Sequence, residues 1–241
     1  MTDTPVPRVV QDLWGTDRSG RRGPKPATSL PAVAGEAIAV ADAEGLPAVS
    51  MAAVAKRLGL TTMALYRYVE SREDLEAAMV DVALGAPPAV GSRGWRHEID
   101  AWARAELAVL LAHPWVLEVR PGTPPLGPGS LGWMDAGLRA LGQSALPAGD
   151  VASSLLLVDG YVRNQVLLAQ QFSDADGARR WADQLRAVID RERLPALAGA
   201  LDAGAFDDDP VAEAFPGDEF EFGLDLLLDG IERREASPVR P

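Results

Sequence analysis

Apolar residues in this chain recur mostly at three- and four-residue spacing, the signature of helices that bury one face. Leu30 to about Glu44 shows it first, with a stripe of Val33, Ala37, Ile38 and Ala41. Glu44-Gly45-Leu46-Pro47 ends the run, because Gly closes a helix cheaply and Pro cannot continue one. Ser50 is placed to cap a second helix, on which Met51, Val54, Ala55 and Leu58 share a face. Gly59 follows directly, where a left-handed residue is wanted, and apolar Leu60 tucks under the turn. Thr61 or Thr62 caps a third helix, Thr62–Tyr68, running to about Val69. Its inward positions are Leu65 and Val69, which leaves Thr62, Met63, Tyr66, Arg67 and Tyr68 outside. Ser71 and Asp74 have the spacing of a capping box for a helix over Ser71–Leu84, with Leu75, Met79 and Val82 buried.

Residues 85–94 carry two prolines and three glycines, which breaks the pattern and marks a domain boundary. Beyond it the periodicity predicts helices over Trp95–Ala112, a short piece from Pro114, Leu131–Leu141 after the Pro/Gly-rich loop Pro121–Gly129, Val151–Phe172, Ala178–Arg193 and Glu219–Arg234. No window alternates as a strand does, so the expected fold is all-α. The expected segments are a flexible basic arm (1–28), a three-helix helix-turn-helix domain (29–84) and a helical regulatory domain (95–236).

Val151–Phe172 is apolar over more than one face, and Phe220, Leu224, Leu227, Leu228 and Ile231 form a second stripe that Phe222 and Leu226 widen. A helix apolar nearly all round is buried in its own domain or shared with a partner. A dimeric four-helix bundle is the expectation, with Leu155, Val158, Val162, Phe220, Leu224, Leu227, Leu228 and Ile231 at the interface. One short reading helix touches few bases, and a twofold dimer reads two half-sites.

Two helices joined by a short Gly-containing turn form a helix-turn-helix, whose second helix enters the DNA major groove. Ala55 before Leu58-Gly59-Leu60, then Leu65-Tyr66-Arg67-Tyr68-Val69, then Ser71-Arg72 and Leu75 resemble the TetR family of transcriptional regulators. The terminal stretch FEFGLDLLLDGIERR resembles the last helix of tetracycline-repressor-type regulatory domains. The resemblance implies a homodimeric, ligand-responsive repressor on a palindromic double-stranded DNA operator. Ser50, Thr61, Thr62, Met63, Tyr66, Arg67, Tyr68 and Arg72 are the candidate DNA contacts. Threonine can bond a base or touch a thymine methyl, methionine makes apolar contact, and tyrosine and arginine anchor phosphates. The family usually has His at the position of Tyr68 and Lys at that of Arg72; both replacements keep a donor. Tetracycline repressors place an arginine where Ala52 stands, so their operator sequence does not transfer.

Net charge is −12, which looks wrong for a DNA binder until its distribution is considered. Residues 1–84 carry nine Lys/Arg against eleven Asp/Glu, and residues 85–241 carry fourteen against twenty-four. The acidic excess therefore lies mostly away from the reading head, where it helps orient the encounter. Arg18, Arg21, Arg22 and Lys25 cluster just before the motif, interrupted by Gly and Pro. They suit an extended arm in a minor groove, with a solvated tail as the bland alternative.

A small-molecule effector implies a pocket between the C-terminal helices. Trp102, His113, Trp115, Asp159, Arg163, Asn164 and Gln165 are the candidates, the last four because they interrupt an apolar helix. Asp159 and Arg163 are also spaced to pair with each other. Tetracycline repressors hold their ligand with histidines and magnesium; those positions are not assignable here, so no metal and no cofactor are expected. No Gly-rich phosphate loop, GxSxG elbow or HExxH is present, and Asp207–Asp209 reads as a solvated acidic run, so no enzyme is expected. There is no cysteine, no secretory signal and no run of eighteen apolar residues, which points to the cytoplasm and away from a membrane. The rival reading is a small-molecule binding protein whose helix-turn-helix no longer reads DNA, supported by apolar Ala52 and Met63.

Overall fold

The computed structural model describes residues 6–15, 28–119, 126–171, 175–205 and 217–236. All regular structure among them is helical: α1 (Arg8–Leu13), α2 (Leu30–Glu44), α3 (Met51–Arg57), α4 (Thr62–Leu65), α5 (Arg72–Leu84), α6 (Trp95–Ala112), α7 (Pro128–Leu141), α8 (Ala148–Gln171), α9 (Ala175–Val188), α10 (Pro195–Asp202) and α11 (Asp218–Glu235). Single 3-10 turns cover Leu46–Ala48 and Pro114–Leu117.

The chain forms two compact units, residues 1–156 and 157–241, which divide inside α8. The Pro/Gly break at 85–94 is therefore not where the compact units part. It lies inside the first unit, where Glu98, on the first turn of α6, accepts from Gly91 N at 2.8 Å and Arg93 N at 3.1 Å, and Gln143 Nε2 donates to Gly91 O at 3.1 Å. The Gly91 and Arg93 amides hold the Glu98 carboxyl below the usual carboxylate range, and they outweigh the effect of its burial.

Within the first unit, α2 and α5 pack through Val33, Ala34, Ala37 and Ala41 against Leu75, Ala78 and Met79, all buried. Small side chains on α2 let the two backbones approach. Val49, Val54, Ala55, Leu65 and Val69 extend this core beneath the helix-turn-helix.

Several sequence expectations change. Residues 8–13 of the expected flexible arm are the helix α1, which starts at Pro7 and buries Val9. Arg18, Arg21, Arg22 and Lys25 lie outside the described residues, as do Asp207–Asp209. On α5 it is Asp81, not Val82, that is buried. The helix expected from Leu131 begins at Pro128, because Asp81 supplies an acceptor for its first turn: Ser130 N donates to Asp81 Oδ1 at 3.0 Å. Gly127 and Gly129 face that carboxylate and its carbonyl so closely that a Cβ at either would overlap them. The helix expected over Ala178–Arg193 runs over Ala175–Val188 instead, with a separate α10 after it. Asp190 causes the break, as its Oδ1 takes the amides of Glu192 and Arg193, each at 3.1 Å.

In the second unit, Tyr161 on α8 stacks on Phe220 of α11, with centroids 5.7 Å apart. Its hydroxyl lies 3.0 Å from Glu219 O and 3.1 Å from Phe220 O. Gly223 makes room for that ring, since a Cβ there would overlap the tyrosine.

Candidate nucleic-acid interface

The helix-turn-helix is set by capping. Ser50 Oγ accepts from Ala53 N at 3.1 Å and starts α3. Gly59, at φ +66°, turns the chain out of α3, and Leu60 N closes on Ala55 O at 2.8 Å. Thr61 Oγ1 accepts from Ala64 N at 3.2 Å and starts α4. Leu65 and Val69 are buried beneath, which fixes the outward direction of the rest.

The reading helix is shorter than Thr62–Tyr68. It closes at Leu65, and Tyr66–Tyr68 continue as tight turns through Arg67 N to Ala64 O (3.4 Å) and Tyr68 N to Leu65 O (2.9 Å). Ser71 then caps α5 by accepting from Asp74 N at 3.0 Å, while Asp74 Oδ2 accepts from Glu70 N at 3.1 Å. The reciprocal bond of the expected capping box thus falls one residue earlier than Ser71.

Met63 is 78% exposed and leads the surface, with Thr61, Tyr66 and Arg67 exposed beside it and Thr62 and Tyr68 half-buried. Ser50 and Thr61 are exposed but already spend an oxygen lone pair as caps. Arg72 is exposed but paired within its own chain: its Nε meets Glu76 Oε1 at 2.7 Å and its Nη2 donates to Leu46 O at 3.3 Å. Arg57 pairs with Glu36 at 2.9 Å and ties α3 to α2. The exposed face of this helix and turn consequently presents a methionine and a threonine beside two tyrosines and an arginine, residue types able to meet bases and phosphates.

The expected effector residues do not form one cluster in the first unit. Trp102 is buried, with its Nε1 donating to Trp133 O at 2.9 Å; Trp133 Nε1 in turn donates to Leu84 O at 2.9 Å. This chain of indoles holds the end of α5. His113 Nδ1 and Trp115 Nε1 converge on one oxygen of Asp42, at 2.8 and 2.7 Å. A carboxylate oxygen only accepts, so His113 carries its proton on Nδ1. These three residues clamp helices together.

In the second unit Asp159 and Arg163 pair at 2.9 Å, and Asn164 is exposed. Gln165 is buried beside Tyr161, and its Oε1 has no hydrogen-bond partner. Burial pushes the Tyr161 hydroxyl above its usual range, Glu219's charge adds to this, and the hydrogen bond from Gln165 opposes it.

The expected dimer residues face inward. Val158 and Val162 are 0% exposed, and Leu155, Phe220, Leu224, Leu228 and Ile231 are buried as well; only Leu227 is half-exposed. Surface already covered by its own chain cannot be buried again by a partner. The outward apolar residues are Leu156, Leu157 and Leu167 on α8 and Phe222 and Leu226 on α11.

A capped helix-turn-helix with a solvent-facing second helix defines a DNA-binding regulator, and comparison with known proteins gives its kind. Residues 35–79 match the model of bacterial regulatory proteins of the tetR family, and residues 87–234 match the tetracyclin repressor-like C-terminal domain. The HTH-type transcriptional repressor DrrR1 of Streptomyces coeruleorubidus is 35% identical over 239 residues, covering 94% of this chain and 86% of that one. The class A tetracycline repressor of transposon 1721 from Escherichia coli is 29% identical over 196 residues, covering 79% and 84%. Among solved structures, apo ActR of Streptomyces coelicolor superposes with a TM-score of 0.72 at 24% identity, covering 87% of this chain and 97% of that one. ActR in complex with actinorhodin gives the same TM-score of 0.72 at 23% identity, covering 86% and 97%. The chain belongs to the TetR family of DNA-binding transcriptional regulators. None of its described helices is long and apolar enough to cross a membrane.

Proposed function

We propose that the protein is a ligand-responsive repressor that acts in the cytoplasm as a homodimer on an inverted-repeat operator. The observation that carries this reading is the reading helix itself: it is capped at Thr61, backed by buried Leu65 and Val69, and presents Met63 and Arg67 to solvent. The dimer reading draws support from the outward faces of α8 and α11, where Phe222 and Leu226 are 68% and 52% exposed. Gly160 and Gly230 are exposed on the same two helices and would allow a partner backbone to come close. The interface is thus assigned to Leu157, Leu167, Phe222 and Leu226 rather than to the inward stripe.

The effector reading rests on the relatives and on Gln165. ActR has been crystallised with actinorhodin, and the tetracycline repressors carry their ligand's name. Gln165 Oε1 is a buried acceptor without a donor, and a small molecule offering an N–H or O–H would satisfy it. Tetracycline and actinorhodin are the first probes.

The test is selection of bound fragments from randomised DNA by the purified full chain at near-physiological salt. Enrichment of an inverted repeat, with affinity that falls steeply as salt rises, is the expected result. A folded dimer that enriches nothing would overturn the reading. Release of the enriched operator by either probe then identifies the effector class.

A further inference from the structure

The short helix α1 is absent from the sequence-level picture and touches two distant places. At its start, Arg8 Nη2 donates to Arg67 O at 3.0 Å and Nη1 meets Glu70 Oε1 at 3.2 Å. Both partners lie in the turn that follows the reading helix. Just past its end, Trp14 Nε1 donates to Leu126 O at 2.8 Å. Leu126 precedes Gly127, the N-cap residue of α7, whose first turn Asp81 of α5 receives at Ser130 N.

Six residues are too few for a helix to persist alone in water, so α1 exists because its ends and buried Val9 are held. A helix of that length spans about 9 Å and transmits displacement as a rod does. We propose that α1 is a strap tying the first turn of α7 to the reading turn, with Arg8 and Trp14 as positioning residues for DNA reading. It runs parallel to the route along α5 from Asp81. A shift at the start of α7 reaches Arg67 and Glu70 through α1, which packs on α5 and α2, as well as along α5 itself. The proposal rests on the chain being a DNA-binding regulator.

The experiment is a double-mutant cycle in the full chain, Arg8→Ala and Trp14→Phe, read as affinity for the selected operator at several salt concentrations. Trp14→Phe keeps an aromatic ring and removes only the N–H that Leu126 accepts. Residues this far apart with no shared partner add when they act independently. The strap instead requires that each single variant bind about three- to tenfold more weakly, as loss of one or two hydrogen bonds allows, and that the double variant bind no more weakly than the worse single. It also requires an unchanged salt slope, since Arg8 grips the protein and not phosphate. Hydrogen exchange gives a readout independent of DNA: Trp14→Phe speeds exchange of the 66–70 amides and leaves those of Leu75–Met79 slow. Additive effects, wild-type affinity in Trp14→Phe, a shallower salt slope in Arg8→Ala, or unaltered exchange at 66–70 would each overturn the strap. If the wild-type chain selects no DNA, the repressor reading fails, and exchange alone decides the strap.

Discussion

The reading head and the second compact unit are both helical, yet they are specified differently. In residues 28–84 every α-helix begins on a hydroxyl side chain: Ser29, Ser50, Thr61 and Ser71 each accept the amide three residues on. In residues 157–236, α10 begins at Leu194 and α11 at Gly217 with no side-chain cap. In the head the strongly exposed large apolar side chains, Met63 and Tyr66, lie on the second helix of the motif and its turn, whereas α8 and α11 leave Leu157, Leu167, Phe222 and Leu226 outside. A head that must present a few side chains to a rigid double helix has its boundaries fixed locally. On the homodimer proposed above, the second unit leaves part of its burial to a second copy.

The most disruptive test of this contrast is Phe222→Glu with Leu226→Glu. These residues contribute little to their own chain, so folding should persist while sedimentation shows a monomer. Losing the tethered second half-site should cost operator affinity about a hundredfold or more. Dimer retention in that variant would break the comparison. Leu65→Ala acts on the opposite regime, removing a fully buried side chain from the head. It should lower stability in urea by about 2–5 kcal/mol and abolish DNA binding while dimerisation persists. Gly223→Ala pushes a methyl into Tyr161 and should cost about 1–3 kcal/mol through overpacking. Thr61→Ala and Ser50→Ala should each cost about 1 kcal/mol, with thermal denaturation of the full chain as the measure. The smallest effect is one of pH. Glu98 titrates below its ordinary range in the folded state, so its stabilisation is fully present above the unfolded carboxylate pKa. It is lost as pH falls through the lower folded value. Glu98→Gln should therefore flatten the acid limb of a stability–pH curve; an unchanged limb would show that the Gly91 and Arg93 amides do not govern it.

Legibility in the sequence follows the same division. The head was readable because its signals are local: Ser50, Gly59, Thr61 and Ser71 act within three or four residues of themselves. The helices α8 and α11 were readable as helices, but which of their apolar residues face into their own chain was not. Two apolar stripes on one helix carry no phase, and only the tertiary structure shows that Val158 faces in and Leu157 out. Asp81 was missed because its partner Ser130 is 49 positions away. Likewise α1 depends on Glu70 and Leu126, which are remote in sequence. Of the proposed DNA surface, Met63, Tyr66 and Arg67 stand where the pattern puts them, while Arg72 spends its guanidinium on Glu76 and Leu46. Trp102, His113 and Trp115 were named as pocket candidates; in each, a ring nitrogen is used to fasten helices.

The clamps across the Pro/Gly break bear on how such proteins can be recombined. The family models divide the chain between residues 79 and 87, as if either half could be exchanged at that seam. Asp42 on one side holds His113 and Trp115 on the other, and Asp81 and Leu84 O hold Ser130 and Trp133. A chimera cut at the seam separates two carboxylates and a carbonyl from their donors. An exchangeable cassette would have to carry the matching residues of α7 and of the turn at Pro114, or find equivalents in its new host.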